Sequence, residues 1–417
     1  VTNVTMRSQS KTDVARSARA LPGIIPAPSF SDEALLLTDA PIPGRPSPAD
    51  GADLETEVVT DWARLVALEQ EWQDLAAAAS EPNPFYEPWM LLPALRAYGS
   101  ETRLEVHVTW AVRRGRRLLC GLFPIAWRRR RAELWKHRSC YLATPLLRAG
   151  FAGAALRCFF DHLEPRTGLV RLDDVPGEGP FHLHLIDELN RRGWPSLISR
   201  SYTRALFRPA SSGDEFLERA LNGKRRKELR RQRARLAELG HLELCELRPD
   251  EDPAPWIREF LSLEASGWKG AEGVAAALHP AERAYVEEMA ARAHQRGRLM
   301  MLGLRLDGRP VALKYNLLAG DGAFAFKIAF DESFARFSPG VLLELDNIHR
   351  LHRMPGVRWM DSCAAPNRFM INHLWPERRE MQTVFLSTGR ALPSLLLALV
   401  PLFQFLRARA RRRRRPA

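Results

Sequence analysis

The sequence predicts two fused α/β (α+β) halves, each a mixed, mostly antiparallel sheet flanked by helices, and three observations predict it. A chain of 417 residues is too long for one ordinary core and suits two domains. Hydrophobic residues make up 46% of it, the proportion of a globular protein. A weak internal repeat also keeps its order: residues 112–118 (VRRGRRL) align with 305–311 (RLDGRPV), and 169–173 with 357–361. The expected division is a leader over 1–55, halves over 56–210 and 211–390, and an apolar, polybasic segment over 391–417.

Residues 21–53 are rich in Pro, Gly, Ser and Ala without periodicity, so the leader is expected to be disordered. Residues 1–20 have no apolar run, which argues against a secretory signal and for a cytoplasmic protein. Val58 and Val59 read as a short strand, and Asp61 caps a helix carrying Trp62, Leu65, Leu68, Trp72 and Leu75 at helical spacing. A second helix spans 88–98. Residues 104–112 and 118–127 then form a hairpin about 113–116, 169–173 a strand, and 181–192 a helix ended by Gly193. In the second half 299–306 and 311–318 form the matching hairpin around Asp307-Gly308.

The formal net charge of +13 points to anionic company: CoA phosphates, nucleic acid or an anionic membrane. Much of the charge lies in the run GKRRKELRRQR from Gly223, on a helix predicted over 222–239 and stopped by Gly240. It reads as a solvated helix anchored by Leu229 and Leu236, or as one that neutralises phosphates. No nucleic-acid-binding motif accompanies it. The five cysteines are scattered, with neither CxxC spacing nor paired histidines, so no metal site and no disulfide framework are expected.

The most informative stretch is 323–361. Residues 323–330 read as a strand, 331–337 as a loop, and Ser338-Pro339-Gly340 as the opening of an apolar helix through Leu351. Ser338 suits the N-cap, Pro339 the first helical position, and Gly340 a close ligand approach. Such a helix start can hold a diphosphate on its free amides, although the same tripeptide is also an ordinary cap.

Together with the basic helix 224–235, the segment EASGWKG (264–270), FSPGVLL (337–343) and Asp361, this order of elements resembles the GNAT-like acyltransferase domain of CelD-like, cellulose-biosynthesis-associated proteins. More distantly it is similar to the FemAB-type aminoacyltransferases. The resemblance implies two GNAT-like domains and direct transfer from acetyl-CoA or another acyl-CoA to an amine acceptor, small or glycan, without a metal. It implies an oxyanion donor near Ile328 and Ala329, and a diphosphate loop formed by Arg336, Phe337, Ser338, Pro339, Gly340 and Val341. Candidate bases are Asp361, Asp331, Glu332 and His373. Lys314 stands in for a lysine of the family that is missing beside His373, and Trp268 and Lys269 are acceptor contacts. Each has a plain alternative: a turn cap, a loop surface, a core histidine, a snorkelling lysine. The rival functions are a transferase using aminoacyl-tRNA, with the basic helix on tRNA, and a non-catalytic, membrane-associated binding protein.

Residues 391–406 are apolar, contain Pro393 and Pro401, and precede an arginine run. The segment is too short to span a bilayer. It is expected either to anchor the chain peripherally on an anionic inner membrane or to pack on the first domain.

Overall fold

A computed structural model describes residues 53–129, 131–366, 369–395 and 397–400. The expected disordered leader, up to residue 52, and the tail from 401 lie outside the described residues.

The first half runs β1 (Asp53–Val59), α1 (Trp62–Ala67), α2 (Glu69–Ala77), α3 (Pro88–Tyr98), β2 (Arg103–Arg113), β3 (Arg116–Arg128), β4 (Arg131–Leu134), β5 (Leu146–Leu147), α4 (Ala152–Leu163), β6 (Leu169–Pro176), α5 (Pro180–Arg192) and β7 (Ser196–Phe207). The second runs α6 (Gly213–Ala220), α7 (Gly223–Ala237), β8 (Leu242–Glu246), α8 (Pro253–Ser266), α9 (Trp268–Ala271), α10 (Pro280–Gln295), β9 (Leu299–Leu306), β10 (Arg309–Ala319), β11 (Gly322–Phe330), α11 (Pro339–His352), β12 (Trp359–Asp361), α12 (Phe369–Leu374) and β13 (Glu377–Ser387). The aligned segments of the repeat take the same shape. The hairpins β2/β3 and β9/β10 turn on Arg114-Gly115 and Asp307-Gly308, each pair with positive φ at both residues. That is the turn whose twist matches paired strands. In each half the next strands then pair in parallel across a helix, β4 with β6 and β11 with β12.

All the strands join one sheet, ordered β1-β2-β3-β4-β6-β13-β7-β12-β11-β10-β9-β8, with β5 attached to β3. At its centre the two halves exchange strands. β13, the last strand of the second half, is inserted between β6 and β7, while β7, from the first half, pairs with β12. Each half is therefore completed by the other's closing strand. One core cluster spans both halves, with α3 packed on α10, and a second lies between the sheet and α6, α7 and α11.

Candidate functional site

Asp361 sits where the strands have been exchanged. Its carboxylate is fully buried, takes Arg204 Nη2 at 2.6 Å and Arg379 Nη1 at 3.0 Å on Oδ2, and takes the Cys363 amide at 2.9 Å on Oδ1. Burial pushes the carboxyl up, but the two guanidinium groups and the amide outweigh it and hold it below the ordinary value. Asp361 ties β12 to β7 and β13 as a buried ion pair.

The start of α11 also differs from expectation. Ser338 adopts a left-handed conformation, φ 54°, and its side chain caps nothing. Its carbonyl instead accepts the amides of Val341 and Leu342 at 2.9 and 3.1 Å, and its own amide bonds the Ala335 carbonyl. Pro339 has no N–H, so of these positions only Gly340 has an amide with no acceptor among the described residues. The missing side chain of Gly340 does not face a ligand either. A Cβ there would lie 3.4 Å from Phe330 and 3.7 Å from Ile328, against β11. The turn is thus capped largely from within, which leaves few free helix amides at its mouth. Positive charge comes from beside it. Exposed Arg336 lies over Phe337 at 4.6 Å, and α7 packs against the 332–337 turn and α11. Arg233 of α7 is fixed by Asp346 at 3.0 Å, Leu229 and Leu236 are buried, and Lys224, Arg225, Lys227 and Arg230 stay exposed. These groups fit a phosphate-bearing ligand.

Four other candidates are accounted for by their surroundings. Lys314 is 3% exposed and pairs with Glu344 at 2.8 Å; Glu344 in turn bonds Asn347, which bonds Asn316. It is a buried network member, not a snorkelling residue or a free charge for an acceptor. Asp331 caps the 332–337 turn through the Ser333 amide, and Glu332 accepts the Trp268 amide at 2.7 Å. His373 is exposed on α12, which packs on α6 and β7, so it is no core histidine.

The structure does bring Trp268, Lys269, Ile328 and Ala329 together. With Leu263, Glu264, Gly267, Phe330 and Glu332 they line a crevice of ≈ 40 Å³, room for about one water. This crevice lies along a free run of β11. The strand pairs with β12 only from Gly322 to Phe324, and its remaining residues to Phe330 have no strand partner on that side among the described residues. Ile328 is thus the only one of Lys314, Ile328, Phe337 and Asp361 that lines it.

Glu264 leads from the crevice to a group of buried charges that sequence reasoning missed. It is 4% exposed and holds Lys269 Nζ at 2.5 Å, Lys327 Nζ at 3.7 Å and the Ala276 amide at 3.2 Å. Lys327 also lies 3.8 Å from Glu282, which Arg138 of the first half reaches at 2.7 Å. Burial raises the Glu264 carboxyl, yet Lys327 and Lys269 outweigh it and leave it below the ordinary value. Burial likewise pulls the Lys327 ammonium down, against the pull of Glu264 and Glu282. Aromatic rings wall the group, with Tyr315 and Phe326 at 5.3 Å and Tyr141 and Phe326 at 5.7 Å. The Tyr285 and Tyr315 hydroxyls are buried without hydrogen-bond partners among the described residues, the kind of unsatisfied polar atom that marks a site. Among the described residues no group of His, Cys, Asp or Glu is placed to hold a metal.

Residues 223–369 match the family described as Acetyltransferase (GNAT) domain. No curated protein matches the chain in sequence. Three solved structures share its fold across both halves. FemX superposes with TM-score 0.51 at 10% identity, covering 79% of this chain and 96% of that one. A conserved protein of unknown function from Bacteroides thetaiotaomicron gives 0.50 at 13%, covering 77% and 97%. The C-terminal DUF2156 domain of an Agrobacterium fabrum protein assigned as a lysylphosphatidylglycerol synthetase gives 0.50 at 14%, covering 81% and 96%. At such identities the likeness is one of fold.

Proposed function

From a chain whose residues 223–369 form a GNAT-type acetyltransferase domain within a double GNAT-like fold, we propose that the second half transfers the acyl group of an acyl-CoA directly to an amine. The chain is an acyltransferase; the thioester donor, the amine acceptor and the residue roles are the proposal. One observation carries it: on its β12 side, β11 runs on past Phe324 with no strand partner among the described residues, beside a buried carboxylate held between two lysines.

Acyl-CoA supplies an activated acyl group: the neutral amine attacks its carbonyl carbon, the C–S bond breaks as the C–N bond forms, and the remaining proton released by nitrogen leaves on the departing thiolate as free CoA thiol. A backbone N–H of the free run, at Ile328 or Ala329, donates to the carbonyl oxygen as charge builds on it. Glu264, ionised and open to the crevice, draws in the cationic amine and takes its proton, directly or through one water. Lys269 and Lys327 hold Glu264 charged. Trp268 and Lys269, on the short α9, must give way for a substrate to enter. Arg336 and the exposed cations of α7 hold the CoA phosphates. Those same α7 cations favour a second reading, an aminoacyl-tRNA donor.

Acetyl-CoA is expected to raise the unfolding midpoint, by about 2.7 kcal/mol of stabilisation at a hundredfold excess over Kd. Thiol release should then depend on an added amine. Absence of both effects, together with tRNA binding that weakens steeply with salt, would sink the acyl-CoA donor in favour of the tRNA one.

A further inference from the structure

A second recess shares no residue with that site. Between the β3–β4 turn, β6, the end of β13 and the helical residues 391–395 and 397–400 lies a groove of ≈ 1600 Å³. Among the described residues, seven of those lining it are arginines and one, Glu133, is a carboxylate. Four of the arginines are paired with carboxylates. Arg103 and Arg166 share Glu105 and lie over Trp127, while Arg131 and Arg171 pair with Glu133 and Asp173 and lie over Phe385. The other three are uncompensated. Arg128 and Arg129 are exposed, with no carboxylate partner among the described residues, and Arg390 donates to the neutral carbonyls of Glu164 and Pro165.

The opposite wall is apolar. Pro393 seats the terminal helical residues so closely on the turn before β6 that a Cβ at Gly168 would come within 2.6 Å of it. Leu397 is buried, whereas Leu392 and Leu395 are 66% and 56% exposed. Beyond Val400, which lines the groove, the sequence continues to Arg407, Arg409 and the run 411–415. No helix among the described residues is long and apolar enough to cross a membrane.

We propose that this groove and its leucine rim dock on a membrane surface rich in anionic phospholipid. The arginines take headgroup phosphates, and Leu392 and Leu395 enter the boundary of the acyl chains. Uncompensated guanidinium groups beside exposed leucines satisfy both halves of such a surface at once. A single-stranded nucleic acid would gain nothing from the leucines, and the Trp127 and Phe385 faces on which bases would stack already carry arginines.

The test is flotation of the full chain with vesicles of phosphatidylcholine alone or mixed with phosphatidylglycerol. The wild type should float with the mixed vesicles and be released by salt. The double variants Arg128→Glu/Arg129→Glu and Leu392→Asp/Leu395→Asp retain the arginine tail and alter exposed side chains, so their unfolding midpoints should not move. Each should weaken vesicle partitioning about tenfold or more, at roughly fivefold per lost arginine near the surface. Variants that float like the wild type would overturn the proposal by assigning the binding to the tail. So would a wild type indifferent to phosphatidylglycerol, or groove-dependent binding of tRNA without vesicle binding. Acetyl-CoA stabilisation should be the same in both variants, which keeps this test separate from that of the transferase reading.

Discussion

The two halves begin with the same hairpin and the same parallel crossover, then part where a site can form. In the first half β4 is 4 residues long and the chain leaves it at once for a long connection to α4, sending Arg138 and Tyr141 toward the other half. α4 then packs an apolar face of Ala155, Leu156, Phe159, Phe160 and Leu163 onto the sheet. In the second half β11 runs 9 residues, outlasts its pairing with β12, and exposes an edge beside Glu264 and Lys327. The buried charges differ in the same way. In the first half Glu105 is held by His107 at 2.9 Å and Arg166 at 2.8 Å, whereas in the second half Glu264 is held by two lysines and borders the crevice. One strand kept long and one cut short turn a repeated fold into a site and its wall.

The hardest test of that contrast is Glu264→Gln. It should lower the acyl-transfer rate about 100-fold or more while the variant still gains stability from acetyl-CoA. An unchanged rate would move the base elsewhere. Next is the seam between the halves. Asp361→Asn leaves Arg204 and Arg379 facing a neutral amide in the interior, and should cost about 3–5 kcal/mol of stability in urea unfolding. A stable variant with a lost rate would restore Asp361 as a catalytic group. Acid should then find the first half. Burial lowers the His107 pKa from 6.5 to about 4, against the pull of Glu105 and with His162 and Arg166 adding to the fall. Between those values the unfolded chain binds a proton that the folded one does not. The stability is therefore complete above about pH 6.5 and falls as pH drops toward about 4, by an amount on the order of 1–3 kcal/mol. A His107→Asn variant whose midpoint shows the same pH slope would remove His107 as the cause. The smallest effect belongs to Gly340→Ala. The new methyl finds Phe330 and Ile328 at ordinary contact distance, so the helix should gain up to about 1 kcal/mol with no loss of acetyl-CoA binding. Lost binding would revive the view that a ligand lies against that backbone.

Local elements were legible because their causes are local. The predicted helix over 88–98 is α3 to the residue, and the turn pairs Arg114-Gly115 and Asp307-Gly308 mark both hairpins. Asp61 and Asn222 cap α1 and α7 through the Arg64 and Arg225 amides. Ser338 misled because Ser-Pro-Gly permits a side-chain cap, whereas the tight turn out of β11 placed the serine in the left-handed region. What could not be read depends on distance along the chain. Arg204 and Asp361 are 157 residues apart, and no spacing rule joins them. Lys327 lies in the run AFAFKIAF, where a lone lysine reads as an exposed position. Its partners Glu264 and Glu282 come from α8 and α10, and Glu282 in turn meets Arg138 of the other half. The one available signal was a charged residue inside an otherwise apolar strand, together with Glu264 in an apolar helix.

The crossed placement of β7 and β13 bears on how the molecule is made. Until residues 377–387 are synthesised, β6 and β7 each lack a neighbour, and the nascent chain carries those open strand edges until then. Such edges recruit other chains. A product that stops short of β13 should therefore aggregate rather than persist as a smaller folded domain, and neither half is a natural unit for expression by itself.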